Sequence, residues 1–233
     1  MRTFDVSAAG GLVLRTGILD VDVDNVLLLC IFAVDGGLLA MGSGSRATRE
    51  RGVLVARDES TTVIDTAPPC EVPRATFPQL NLEGGVLRGG ELVLLQRGNR
   101  SDRRNALVFV AGDDLRSALT THRFVPTVAP RVVDLGFGDH DDVSWSGTDL
   151  ALLADGDPLA SVVLEDTSDA YADGACLGSA LARTRNDGTL RGLRRVDIAA
   201  KNEGIALDDR TIWTVTDADD RNVLALRLRA TLA

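Results

Sequence analysis

The chain has 233 residues, 45% apolar and 25% charged, enough to bury its own core, and this composition excludes collagen-like repeats, extensive disorder and membrane-spanning helices. Twenty-five Lys and Arg stand against 34 Asp and Glu, so the net charge of −9 has the wrong sign for a phosphate backbone and no nucleic-acid partner is expected. Lys201 is the only lysine and only seven of the acids are Glu, which leaves few of the residues that long helices recruit.

At the start of the chain, Met1 to Ala9 lacks the basic-then-apolar layout of a secretory leader, and the best apolar run, Val26 to Val34, is too short for a bilayer. A soluble, cytoplasmic protein without a membrane partner is expected. Short strands follow at Ile18–Val23, Val26–Phe32, Leu38–Met41, Val53–Ala56, Glu91–Leu95, Ala106–Val110, Leu150–Leu153, Ser161–Leu164, Thr211–Val215 and Val223–Leu228, several alternating apolar with polar or small residues. Asp35-Gly36-Gly37, Gly89-Gly90, Asp155-Gly156-Asp157, Asn186-Asp187-Gly188 and Asp208-Asp209 supply tight turns between them. One short helix is predicted, Asp113–Thr121, as an insertion. Cys30, Cys70 and Cys176 are odd in number and widely spaced, and read as free thiols rather than a disulfide framework or zinc site.

The strands repeat. Glu83 to Leu95 aligns without gaps over Glu203 to Val215 at an offset of 120, and Asp141 to Leu153 fits between them, so acid-led hairpins begin at 83, 141 and 203. Strand, tight turn and strand, recurring with two further strands between copies, is the sequence form of a propeller blade. The fold is therefore predicted to be all-β, a β-propeller of about five blades with six as the alternative count. No linker is visible, and residues 1–233 read as one domain whose N-terminal blade is degenerate.

Several segments then carry a resemblance. Gly42-Ser43-Gly44-Ser45-Arg46, Leu80-Asn81-Leu82-Glu83-Gly84 followed by Leu94-Leu95-Gln96-Arg97-Gly98-Asn99, Glu165-Asp166-Thr167 with Asp173-Gly174 and Gly178-Ser179, and Asn202-Glu203-Gly204-Ile205 with Thr216 to Asp220 occur in order between about Leu38 and Leu228. They resemble an uncharacterised bacterial β-propeller family, itself similar to the calcium-dependent propellers that include gluconolactonases, phosphotriesterases and phytase-like proteins. Leu28 to Phe32 departs from the pattern, with no carboxylate where an acid-led hairpin is expected.

The resemblance and the repeat together suggest a chemistry. Innermost propeller strands line a channel, so Glu83, Glu165 and Glu203 are expected to converge, and crowded carboxylates call for a hard cation with oxygen ligands. Calcium is the expected ion, with Asp141, Asp217 and Asn99 completing its shell. Such a site would polarise a lactone, ester or phosphoester, with His140 or Asp142 as base. The competing reading pairs the same acids with Arg, in a non-catalytic propeller that binds a small ligand or a protein on its top face. Gly42-x-Gly44-x-x-Ala47 leaves no room for a crossover helix before Val53, and Asp20-x-Asp22-x-Asp24 lacks the Gly and final Glu of a calcium loop, so neither a dinucleotide site nor an EF-hand is expected.

Overall fold

Two-faced strands build this molecule. In the computed structural model, which describes residues 3–6, 12–15, 28–99, 102–166, 175–197, 200–208, 211–217 and 227–231, five antiparallel sheets form in chain order. A hairpin of β1 (Thr3–Val6) and β2 (Leu12–Arg15) comes first. The next sheet is the meander β3 (Leu28–Val34), β4 (Gly37–Gly42), β5 (Arg51–Ala56) and β6 (Thr61–Asp65). It is followed by β7 (Leu82–Arg88), β8 (Glu91–Gln96), β9 (Asn105–Ala111) and β10 (Arg131–Leu135). A five-stranded sheet takes β11 (Asp139–His140), β12 (Val143–Leu152), β13 (Pro158–Asp166), β14 (Ala175–Thr184) and β15 (Leu190–Val196). The last contains β16 (Lys201–Asp208), β17 (Thr211–Asp217) and β18 (Arg227–Thr231).

The leading strands pack in succession, β3 beside β7, β7 beside β12 and β12 beside β16. Meander sheets standing side by side through a strand at or next to the start of each form a β-propeller of about five blades. The packing explains the unbroken apolar runs. On β8, Leu92 and Leu94 join the core shared with the preceding blade, while Val93 and Leu95 join the core shared with the next. On β9, Val108 and Val110 face one way and Leu107 and Phe109 the other. A strand covered on both faces needs apolar residues at every position, and each fully buried Leu or Phe contributes about 1.5–3 kcal/mol.

The third seam, between the β11–β15 sheet and the last, is different. Its apolar cluster is small, built from Ala151, Leu159, Ile205 and Ile212. Polar bonds take over where β16 begins: Thr148 Oγ1 donates to the Asn202 carbonyl at 2.6 Å, Asn202 Nδ2 donates to Ser161 Oγ at 2.7 Å, and Ser179 Oγ donates to the Ala200 carbonyl at 2.8 Å.

Two helices interrupt the strands. The predicted one appears as α2 (Gly112–Thr121), between β9 and β10. The other, α1 (Ala67–Thr76), was not expected, and it carries Pro68, Pro69 and Pro73. Two of these prolines fall in its opening positions, where a missing N–H costs nothing. Cys70, Leu115 and Ala118 from these helices, with Phe77 and Phe124 from the segments after them, cap the first seam. The predicted strand Ile18–Val23 lies outside the described residues, and Val223–Leu228 is described only from Arg227, within β18. Among the described residues no helix is long and apolar enough to cross a membrane.

The hairpin register corrects one part of the repeat. In β7 the pairing skips Glu83, and in β16 it skips Glu203, each at a β-bulge. The matching skip in β12 falls on Thr148, and in β3 on Leu29. Asp141 is therefore not the third copy. It occupies, with Asp142, a positive-φ turn between β11 and β12.

Candidate site: an ion cluster at the blade starts

The bulges of β7 and β16 turn Glu83 and Glu203 toward a common centre, and Glu165 reaches it from the end of β13. That centre is a guanidinium. Arg97, just after β8, places Nη1 3.4 Å from Glu83 Oε1 and 4.0 Å from Glu203 Oε1, and its Nη2 donates to Glu165 Oε2. Lys201 adds a second cation, with Nζ 3.1 Å from Glu203 Oε1 and 3.5 Å from Glu165 Oε1. Burial works against both positive charges, and the surrounding glutamates outweigh it, so both groups are held above their ordinary range.

The backbone around Arg97 is fixed by a small amide network. Arg97 N donates to the Asn81 carbonyl at 2.9 Å, Asn81 N donates to Gln96 Oε1 at 2.8 Å, and Gln96 Nε2 donates to the Arg97 carbonyl at 2.6 Å. Asn81 Nδ2 then donates to Glu83 Oε1 at 2.6 Å. The Leu80-to-Gly84 and Leu94-to-Asn99 segments are thus two sides of one bonded frame.

Asp149 is a fourth acid beside this centre. It stands one residue after the bulge of β12, where β7 has Gly84, β16 has Gly204 and β3 has Cys30. Its carboxylate accepts N–H bonds from Leu150 and, across the third seam, from Ile205, both at 2.8 Å. Burial raises its pKa to about 7, against the two N–H bonds, and Glu203 and Glu83 add to the rise. Glu203 is likewise raised to about 7 by burial and by Glu83, although Arg97 and Lys201 pull the other way. Burial drives the Cys30 thiol well above its usual value, with Glu83 and Asp149 adding to it. Cys70, also buried, is pushed up to about 12. Cys30, Cys70 and Cys176 are all free, as expected from their spacing.

Of the residues expected to share a metal, the structure brings together Glu83, Glu165 and Glu203. Asn99 is committed to its own loop, accepting from Asp102 N at 2.9 Å and donating to Gln79 Oε1. Asp141 is exposed, 3.6 Å from the half-exposed ring of His140, and the Asp142 carbonyl accepts from Arg103 at 3.1 Å. The Asp217 side chain lies outside the described residues. A calcium shell needs six to eight oxygens turned inward. Here the glutamate oxygens are turned onto Arg97 and Lys201, and among the described residues no group of three or more His, Cys, Asp or Glu is placed to hold a metal. As placed, these oxygens meet two cations rather than one another across a shared opening.

Arg97, Lys201 and Asp149 were not anticipated as site residues. A signal existed for two of them: Arg97 lies inside a segment that carries the family resemblance, and Lys201, the one lysine of the chain, immediately precedes another. Asp149 was concealed by the seven-residue misregister of its hairpin.

The fold and the cluster define the chain as a β-propeller with a cation-centred group of carboxylates where its inner strands begin. It belongs to the family of unknown function DUF6910, whose model matches residues 24–221. No curated protein matches it. Among solved structures it is similar to a gluconolactonase, XC5397 from Xanthomonas campestris, at 16% identity over 82% of this chain and 53% of that one, with a TM-score of 0.41. A putative gluconolactonase is similar at 15% identity over 84% of this chain and 59% of that one, with a TM-score of 0.45. The chain thus spans a little over half the length of either.

Proposed function

We propose that this propeller binds a small polar molecule at the mouth beside Glu203, and that Arg97 and Lys201 provide there the positive charge that a metal ion would otherwise supply. The observation that carries this reading is the Arg97 guanidinium, which meets Glu83, Glu165 and Glu203 from three successive blades. Glu203 marks the open side: its side chain is 21% exposed, whereas Glu83 and Glu165 are shut in. The test is a thermal melt with calcium and then with chelator, since an ion bound only by the native state must raise the midpoint. The midpoint is expected to stay put in both. A rise with calcium that chelator reverses would restore the calcium-dependent reading, with Glu83, Glu165 and Glu203 as ligands.

Hydrolysis of a lactone, ester or phosphoester is the second reading, and Glu203 favours it. A part-exposed carboxyl held near 7 is suited to moving a proton, and flanking cations can stabilise charge developing on an attacked oxygen. The acid–base role then passes to Glu203 from His140 and Asp142. Turnover in a substrate panel that survives chelation and falls at least about 100-fold in Glu203→Gln supports catalysis. No turnover across the panel leaves the binding reading alone.

A further inference from the structure

An open cavity of about 450 Å³ lies against β6, the edge strand of the first sheet, and shares no residue with the Arg97 cluster. That volume is within the range of small-molecule sites. Strand alternation brings its residues together. Val63 and Asp65 stand two apart on β6 and so share a face, and Arg51 pairs with Asp65 across from β5. Ala67, the first residue of α1, and His122, at the end of α2, line it as well.

The acids of this cavity are engaged. Glu50 Oε1 accepts from Arg74 Nη2, while Asp65 Oδ1 accepts from Ala67 N at 3.0 Å and its Oδ2 lies 3.2 Å from Arg123 Nε. The basic side chains are not: among the described residues, neither the Arg51 guanidinium nor the His122 ring has a hydrogen bond or an ion pair. His122 is nonetheless held in place. Its N–H donates to the Ala118 carbonyl at 2.8 Å and its carbonyl accepts from Asp65 N at 3.0 Å. Its φ of 59° is a left-handed conformation that suits Gly or Asn and costs a histidine. The carbonyls here are also satisfied, since Ser117 O accepts from Thr120 and Thr121 Oγ1 at 2.9 and 3.0 Å. What the cavity leaves unused is therefore a set of donors, beside the apolar surface of Ala67 and of Val63, which is 46% exposed.

We propose that this cavity binds a short-chain aliphatic carboxylate, with its carboxylate on the Arg51 guanidinium and the His122 ring and its chain over Val63 and Ala67. The planar fork of an arginine matches the two oxygens of a carboxylate, and a histidine offers at least one N–H in either protonation state. A phosphate dianion would set a second negative charge beside Glu50 and Asp65. An alkylammonium would meet an unpaired guanidinium and two acids already bonded elsewhere. An alcohol would leave the guanidinium without a counter-charge.

The test is a titration of the full chain with butyrate, inorganic phosphate, n-butylammonium and n-butanol at constant ionic strength, read from backbone amide shifts by NMR. Butyrate is expected to move the amides of Arg51, Val63 and His122 to saturation, and the other three probes to move them less or not at all. Arg51→Gln should weaken butyrate binding about tenfold or more, as loss of a charged hydrogen bond does, and leave the urea midpoint unchanged. His122→Asn, which tolerates the same left-handed backbone, should weaken it as well. Equal or larger shifts with phosphate, the amine or the alcohol overturn the carboxylate. Butyrate shifts that do not saturate, that survive Arg51→Gln unchanged, or that fall instead on Arg97, Lys201 and Glu203 overturn the cavity as its site.

Discussion

Removing Arg97 is a sharp single perturbation, because among the described residues its guanidinium is shared by Glu83, Glu165 and Glu203. A buried ion pair adds little net stability over an apolar replacement of the whole group, yet deleting one partner strands the others without compensation. Arg97→Met should therefore lower the unfolding free energy by about 3–5 kcal/mol in urea titrations. Adding Glu165→Gln to that background should recover part of the loss, since it removes one stranded charge; additive losses would show that the pair does not interact. The convergence of the three glutamates was legible because Glu is scarce in this chain and two of them lead aligned hairpins. The arginine at their centre was harder to single out, because 24 of the 25 basic residues are Arg and only its place in the Leu94-to-Asn99 segment separates Arg97 from the rest.

Among the elements, the contact between β7 and β12 depends on a missing side chain. A Cβ added at Gly84 would lie 2.6 Å from the Leu150 backbone nitrogen and 2.8 Å from the Asp149 Cα, so backbone rather than a flexible side chain would have to give way. Gly84→Ala is expected to destabilise the protein by about 1–3 kcal/mol, at the upper end of ordinary single substitutions, and to disturb Asp149 through the same contact. By contrast, Gly90→Ala, at a positive-φ turn with open space around its Cβ, should cost only its backbone strain. Equal urea midpoints for the two variants would refute the close-approach role of Gly84. This is also the scale at which sequence periodicity worked best and then stopped. Meander order and tight turns followed from short apolar runs and Gly-bearing turn sequences, whereas the bulge that aligns Glu83 with Thr148 rather than Asp141 leaves no periodic trace. Helix α1 escaped notice for a related reason, since prolines that break a helix interior are welcome at its start.

For the molecule as a whole, the cluster ties stability to pH with a definite sign. Burial raises Asp149 and Glu203 to about 7 in the folded protein, well above the ordinary carboxylate range of about 4. Between those limits the folded state holds protons that the unfolded chain has already released, so stability must fall as pH rises from about 4 to 7 and level off above it. Each proton involved contributes a slope of about 1.4 kcal/mol per pH unit, so two such groups yield a visible decline between pH 5 and 7. The carboxylates held low by hydrogen bonds, Asp58, Asp102 and Asp187, act in the opposite direction, but their window lies below 4 and leaves this range clear. Urea midpoints measured from pH 5 to 8 should therefore decrease and then flatten, and Asp149→Asn should make the early part shallower by removing one of the two protons. A midpoint that climbs across that range would mean that Asp149 and Glu203 are ionised throughout, and that Arg97 and Lys201 neutralise the channel without help from bound protons.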